Sequence, residues 1–155
     1  MNHPTERVIV TEVGMRDGLQ SISRIMSTDD KKRWIDTTFE AGIRHMEVAS
    51  FVRAKLLPQM ADAGAVIAYA LTHDSLVVTA LVPNVKGAQR AIDSGVQRIV
   101  VPISVCAAHS LANVRKTPAE DQRVCRDMFR SPRPRRNYRG SIHCIWLHVA
   151  RQRAL

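Results

Sequence analysis

Short runs of consecutive apolar residues alternate along this chain with longer stretches in which apolar positions recur every three or four residues. RVIVTEV (Arg7–Val13) is β-branched and closed by Gly14, which predicts a buried strand. Ser27-Thr28-Asp29-Asp30 supplies a helix cap and first-turn acids, and Trp34, Ile35, Thr38 and Phe39 follow at helical spacing until Gly42. HMEVA from His45 predicts a second strand, and Ala54–Leu71 a second helix with Pro58 near its start. LVVTALV (Leu76–Val82) predicts a third strand, Val85–Asp93 a helix closed by Gly95, Arg98–Ile103 a fourth strand, and Pro118–Phe129 a fourth helix. The order is β-α four times over. Uninterrupted apolar strands imply a parallel sheet covered on both faces with right-handed crossovers. Either an open doubly wound sheet or part of a (β/α)8 barrel satisfies that pattern.

The rhythm stops near residue 130. RSPRPRRNYRGSIHCIWLHVARQRAL has no apolar period, and Pro132 and Pro134 interrupt its start, so residues 130–155 are expected to form an irregular, disordered tail behind a domain over 1–129. Charge marks the same boundary. The net charge is +9, but residues 1–129 hold 16 basic against 14 acidic side chains, while the tail holds seven arginines and no acid. Clustered arginine supports non-specific phosphate contact. A basic protein that binds nucleic acid through this tail is therefore the rival reading, disfavoured because the out-of-frame character of the tail, set out below, makes its charge incidental.

No apolar run approaches the roughly 20 residues of a membrane helix, and the N-terminus lacks the basic start and apolar segment of a secretory signal. A cytoplasmic protein without a membrane partner is expected. Cys106, Cys125 and Cys144 are odd in number and widely spaced, as free thiols of a reducing compartment would be. No glycine-rich phosphate loop follows any strand.

In parallel α/β folds, functional groups gather at the C-terminal ends of strands. Here those ends offer Glu12, Arg16, Asp17 and Gln20; then Glu47, Ser50 and Phe51; then Pro83 and Asn84; then Ser104, His109 and Asn113. Glu47 sits inside an apolar strand, where an unpaired carboxylate would be costly. A pair with Arg16 across neighbouring strand ends would satisfy both, and by chemistry alone that pair serves either structure or a site.

Several motifs stand in order along residues 6–129. Glu12 to Gln20 reads EVGMRDGLQ and resembles the EVGxRDGLQ signature of hydroxymethylglutaryl-CoA lyases, whose RDGxQ core is shared by a wider superfamily of metal-dependent aldolases and lyases. Glu47–Phe51 is similar to that family's ExxSF segment, Pro58-Gln59-Met60 to its PQM, and Leu81–Gly87 to its LxPNxKG; Ala108–Thr117 resembles the fourth loop of bacterial members. The resemblance implies the first four βα units of a TIM barrel. It also implies a divalent metal, Mg2+ or Mn2+, with Asp17 as a ligand, and an acyl-CoA substrate, 3-hydroxy-3-methylglutaryl-CoA, cleaved to acetyl-CoA and acetoacetate. Arg16 would stabilise the negative charge that develops on the thioester oxygen, and Glu47 would support catalysis beside it. Gln20, Ser50 and Phe51 would join Arg16 in binding substrate. PQM and LxPNxKG favour this family over another acyl-CoA aldolase or lyase of the superfamily.

The departures are as informative. The family's His-x-His pair, its asparagine ligand and its Gly-Gly-Cys-Pro loop are absent; His143, His148 and Cys144 do not stand in those contexts. Cys106-Ala107 replaces Ser-Glu, Met15 replaces proline, and Ser21-Ile22 replaces Asn-Glu. Codons allowed for residues 140–153, begun one base later, can read ASTAFGCTLQGS, which resembles the fifth-strand segment of bacterial members. The expectation is a frameshift near residues 129–131, a truncated chain inactive alone, impaired metal binding, and self-association through open barrel edges.

Overall fold

The computed structural model describes residues 8–104, 106–130 and 141–147. Its centre is a parallel sheet of four strands in the order β1 (His45–Ser50), β2 (Val77–Leu81), β3 (Arg98–Ser104) and β4 (Ser141–Leu147). A bridge between Glu12 and Met46 sets the segment before the first helix beside β1. Strand order therefore follows chain order without reversal. A doubly wound sheet reverses at a switch point, so the progression is that of a barrel, and the α/β chain forms part of one.

The helices are α1 (Thr28–Glu40), α2 (Ala63–Ala70), α3 (Val85–Ser94), α4 (Ala107–Val114) and α5 (Pro118–Arg130). The α1 helix packs on α2, α2 on α3, and α3 on α5, so these four form one layer outside the strands. Their starts and stops are local chemistry. Ser27 Oγ accepts the Asp30 amide at 3.1 Å, and Asn84 Oδ1 accepts the Gly87 amide at 2.9 Å. Gly42 and Gly95 turn the chain out of α1 and α3 with φ of +93° and +86°, values that L side chains rarely adopt. The core lies between sheet and helices, with Ile35, Met46, Val48, Ile67, Val78, Val82, Ile99 and Ile103 almost wholly buried. Removing such surface from water stabilises the chain by about 25 cal/mol per Å2.

Five expectations are corrected. The strand expected over Arg7–Val13 is reduced among the described residues to the Glu12 bridge, which rests on the Glu12 amide to His45 O at 2.9 Å and the Glu47 amide to Glu12 O at 2.8 Å. Val8, Ile9 and Val10 are 87%, 56% and 65% exposed. Their side chains favour a strand, but no described strand flanks them on the far side. The helix expected over 54–71 shortens to α2, because Pro58–Met60 forms a separate 3-10 turn and the helix starts anew after Asp62. The fourth-loop segment carries an unforeseen helix, α4. The tail is not irregular throughout: Ser141–Leu147 (SIHCIWL) pairs with β3 from Arg98↔Ser141 to Ser104↔Leu147. The free backbone edge of β3 can take such a run of strand-forming residues. The remainder of the expected tail lies outside the described residues. Of the cysteines, Cys106 is a free thiol as expected, whereas Cys125 is disulfide-bonded.

Candidate active site

The Glu12–Gly18 segment bends sharply as it leaves β1's flank. Glu12 Oε1 accepts the Gly14 amide at 2.6 Å, and the Arg16 and Asp17 amides both reach Val13 O, at 3.0 and 2.7 Å. A Cβ on Gly14 would stand 2.7 Å from Glu12 Oε1 and 3.3 Å from the Trp34 ring, so a side chain there would have to push the Glu12 carboxylate off the Gly14 amide and press on Trp34. Met15, fully buried, anchors the turn in the core. The next two side chains are thereby turned to the C-terminal end of the strands.

Arg16 sits between two carboxylates. Its Nε donates to Glu47 Oε1 and its Nη1 to Asp17 Oδ1, each at 2.6 Å. Glu47 belongs to β1 and is 3% exposed. Burial pushes its carboxyl above the usual range, and the Arg16 hydrogen bond and charge pull the other way. Asp17 is the opposite case: its side chain is 63% exposed, with Oδ2 unengaged by any hydrogen bond among the described residues.

Arg16, Asp17 and Gln20 open on a cleft of about 680 Å3 at the strand ends, together with Asn84, His109 and an apolar wall of Val52, Leu56 and Leu57. A second groove, of about 860 Å3, lies along α1 between Ile22, Ile25 and Trp34. Its acid, Asp30, is already bonded to Arg33 and Ser27. The cleft at the strand ends is the candidate site because it gathers Arg16, Asp17, Gln20, Asn84 and His109 where parallel α/β folds place their chemistry.

Of the six expected site residues, Arg16, Asp17 and Gln20 line the cleft, and Glu47 joins them from below through Arg16. Ser50 and Phe51 are brought to the same strand end but are 1% and 7% exposed and lie behind the cleft wall. Ser50 Oγ faces the Val52 amide at 3.4 Å, and Phe51 packs under the start of α3 with the Arg90 guanidinium 5.2 Å from its ring. His109 lines the cleft, with Nδ1 2.5 Å from Ser104 Oγ, yet it was named only as a strand-end residue. The unforeseen α4 is what brings it back over the end of β3. The side chain of Asn113 lies outside the described residues.

No group of three or more His, Cys, Asp or Glu side chains gathers among the described residues in a way that could hold a metal. Asp17 is the carboxylate at the cleft. No helix among the described residues is long and apolar enough to cross a membrane.

The HMGL-like family model matches residues 7–138. A Pseudomonas aeruginosa 3-hydroxy-3-isohexenylglutaryl-CoA/hydroxymethylglutaryl-CoA lyase is 39% identical over 114 residues, which cover 74% of this chain and 38% of that protein. A Bacillus subtilis hydroxymethylglutaryl-CoA lyase is 31% identical over 123 residues, covering 79% and 41%. The chain thus spans about two-fifths of the length of these relatives. Among solved structures, the HMG-CoA lyase from Brucella melitensis superposes with a TM-score of 0.81 at 32% identity, covering 91% of this chain and 49% of that one. An A. baumannii HMG-CoA lyase in complex with coenzyme A and 3-methylmalate superposes with 0.82 at 27% identity, covering 94% and 47%.

Proposed function

Because the chain belongs to the HMGL-like family, we propose that it carries the first part of a hydroxymethylglutaryl-CoA lyase site, where 3-hydroxy-3-methylglutaryl-CoA is cleaved to acetyl-CoA and acetoacetate. The observation that carries this reading is Arg16, held between buried Glu47 and exposed Asp17 at the mouth of the cleft.

Cleavage of the carbon–carbon bond leaves negative charge on the thioester oxygen of the acetyl-CoA half. A guanidinium fixed in advance stabilises that charge without reorganising during the reaction. Glu47 fixes it here, acting as its rigid counter-charge. Gln20 borders the substrate, while Ser50 and Phe51 form the packed wall behind it. Named relatives that act on hydroxymethylglutaryl-CoA, and one solved with coenzyme A, support an acyl-CoA as the ligand.

Members of this family generally depend on a divalent metal, which would supply a Lewis acid for the substrate hydroxyl. Asp17 suits Mg2+ or Mn2+ in its chemistry, as an exposed hard oxygen donor. The described residues bring no complete ligand set beside it, so the fit is partial. A single carboxylate holds a catalytic metal weakly. The reading therefore includes impaired metal binding and a chain inactive by itself. It also includes self-association through the exposed edge at Val8, Ile9 and Val10.

Calorimetry with 3-hydroxy-3-methylglutaryl-CoA tests the site. The chain is expected to bind, and Arg16→Gln to lose most of that binding. Absence of binding by the unaltered chain would remove the lyase reading. An acetoacetate assay with Mg2+ or Mn2+ tests the second part: turnover abolished by Arg16→Gln would keep the lyase and overturn inactivity.

A further inference from the structure

The Pro58-Gln59-Met60 turn has been a mark of resemblance without a task. It lies buried behind the cleft and connects to both of its walls. One wall is Arg16, Asp17 and Gln20; the other is Arg53, Leu56 and Leu57, which run directly into Pro58. Gln59 is 8% exposed, and its Nε2 donates to Ile22 O at 2.5 Å, two residues beyond Gln20. The acceptor is a carbonyl, so the amide nitrogen must face it. Among the described residues this is the one long-range hydrogen bond made by residues 19–26. Leu19 and Met26 pack into the core at either end, but Ser21 bonds only locally, to Gly18 O, and Ile22 and Ile25 are 45% and 59% exposed, so core packing holds residues 20–25 weakly.

The turn is itself fixed from behind. Lys31, 1% exposed on α1, donates from Nζ to Gln59 O at 2.6 Å and to Asp62 Oδ1 at 2.5 Å. Asp62 Oδ2 accepts Thr28 Oγ1 at 2.7 Å. A buried ammonium needs such partners, and the arrangement makes α1, the turn and the start of α2 one rigid piece. Gln59 extends that piece to the Arg16 loop.

We propose that Gln59 is a positioning residue: a latch, seated by Lys31, that holds the loop following Arg16 and Asp17 and thereby sets the gap between the two walls of the cleft. The proposal rests on the reading of this cleft as an acyl-CoA site. The latch acts through residues 20–22 and touches no substrate.

The decisive variant is Gln59→Leu, which removes the donor to Ile22 but keeps the backbone carbonyl that Lys31 grips. Gln59→Asn, too short to reach Ile22, is its partner. Met60→Ala is the control, since it opens the core beside the turn without touching the latch. Hydrogen exchange and coenzyme A calorimetry are read on the full chain. Loss of one hydrogen bond corresponds to about a tenfold change. Both Gln59 variants should speed exchange of the Arg16, Asp17 and Ser21 amides, which bond to Val13 O and Gly18 O, about tenfold and weaken coenzyme A binding by a similar factor, while β1 to β3 keep their protection. Met60→Ala should lower the melting temperature without that local signature. Unchanged exchange at those three amides, equal acceleration throughout β1 to β3, or unchanged coenzyme A affinity in Gln59→Leu would each overturn the latch. If the unaltered chain binds no coenzyme A, the acyl-CoA reading fails, and the exchange pattern alone then decides whether Gln59 holds the loop.

Discussion

Two cation–carboxylate pairs lie under the same end of the sheet, Lys31 with Asp62 at 2.5 Å and Arg16 with Glu47 at 2.6 Å. In the first, every carboxylate oxygen has a partner, and the ammonium is bonded to a carbonyl as well. In the second, the buried side is equally tight, but the far side continues through Asp17 into open space, where a carboxylate oxygen has no partner among the described residues. Burial and charge alone do not separate a structural pair from a site. The difference is closure: one network ends on itself and the other ends on a cleft.

The closed network should break hardest. Asp62→Ala leaves the Lys31 ammonium buried with only a carbonyl, and a loss of about 3–5 kcal/mol is expected by chemical denaturation. Lys31→Met combined with Asp62→Leu should recover most of it, because an apolar pair of similar volume is commonly no less stable. The open network should show its effect on ligand instead. Loss of a charge-assisted bond corresponds to about 1.5–3 kcal/mol, so Arg16→Gln should weaken hydroxymethylglutaryl-CoA binding roughly 10- to 100-fold in calorimetry.

A smaller effect separates a third carboxylate from both networks. Asp121 is 5% exposed, its Oδ2 has no partner among the described residues, and burial pushes its carboxyl above the usual aspartate value. A raised folded-state value means that the native chain binds more protons than the unfolded one, so stability falls as pH rises through that window. Asp121→Asn should therefore raise the melting temperature at neutral pH by the equivalent of about 1 kcal/mol. The advantage should shrink as pH falls towards the unfolded-state value. At the surface, Lys32→Ala removes the pair with Asp29 at 3.1 Å. It should cost no more than about 0.5 kcal/mol, measured the same way.

Much of this was legible in the chain itself. Strands β1 to β3 and helices α1, α3 and α5 follow from apolar runs, caps and glycines, because those signals are local. The Arg16–Glu47 pair was legible too, since a carboxylate inside HMEVA requires a cation and the preceding strand end offers one. What failed was non-local. RVIVTEV has the composition of a strand, but a strand also needs neighbours, and Val8 to Val10 lie exposed with no strand partner among the described residues. SIHCIWL lacked a periodic signal, yet it pairs along β3 because an edge was free. His109 and Gln59 carried no charge pattern to single them out; one depends on the unforeseen α4, the other on a bond to a backbone carbonyl 37 positions away. Backbone acceptors leave no trace in side-chain identity.

The fork of Arg16 has a last consequence. A guanidinium presents five N–H bonds in one plane, and here the Nε edge and one bond of Nη1 are claimed by Glu47 and Asp17. Those two attachments set the plane's bearing, so the unclaimed bonds point along fixed lines rather than wandering. Lysine at position 16 would keep the charge and lose the compass. Arg16→Lys should retain long-range attraction for an anion while surrendering the directional grip, a separation visible as an association rate that barely changes and a dissociation rate that climbs.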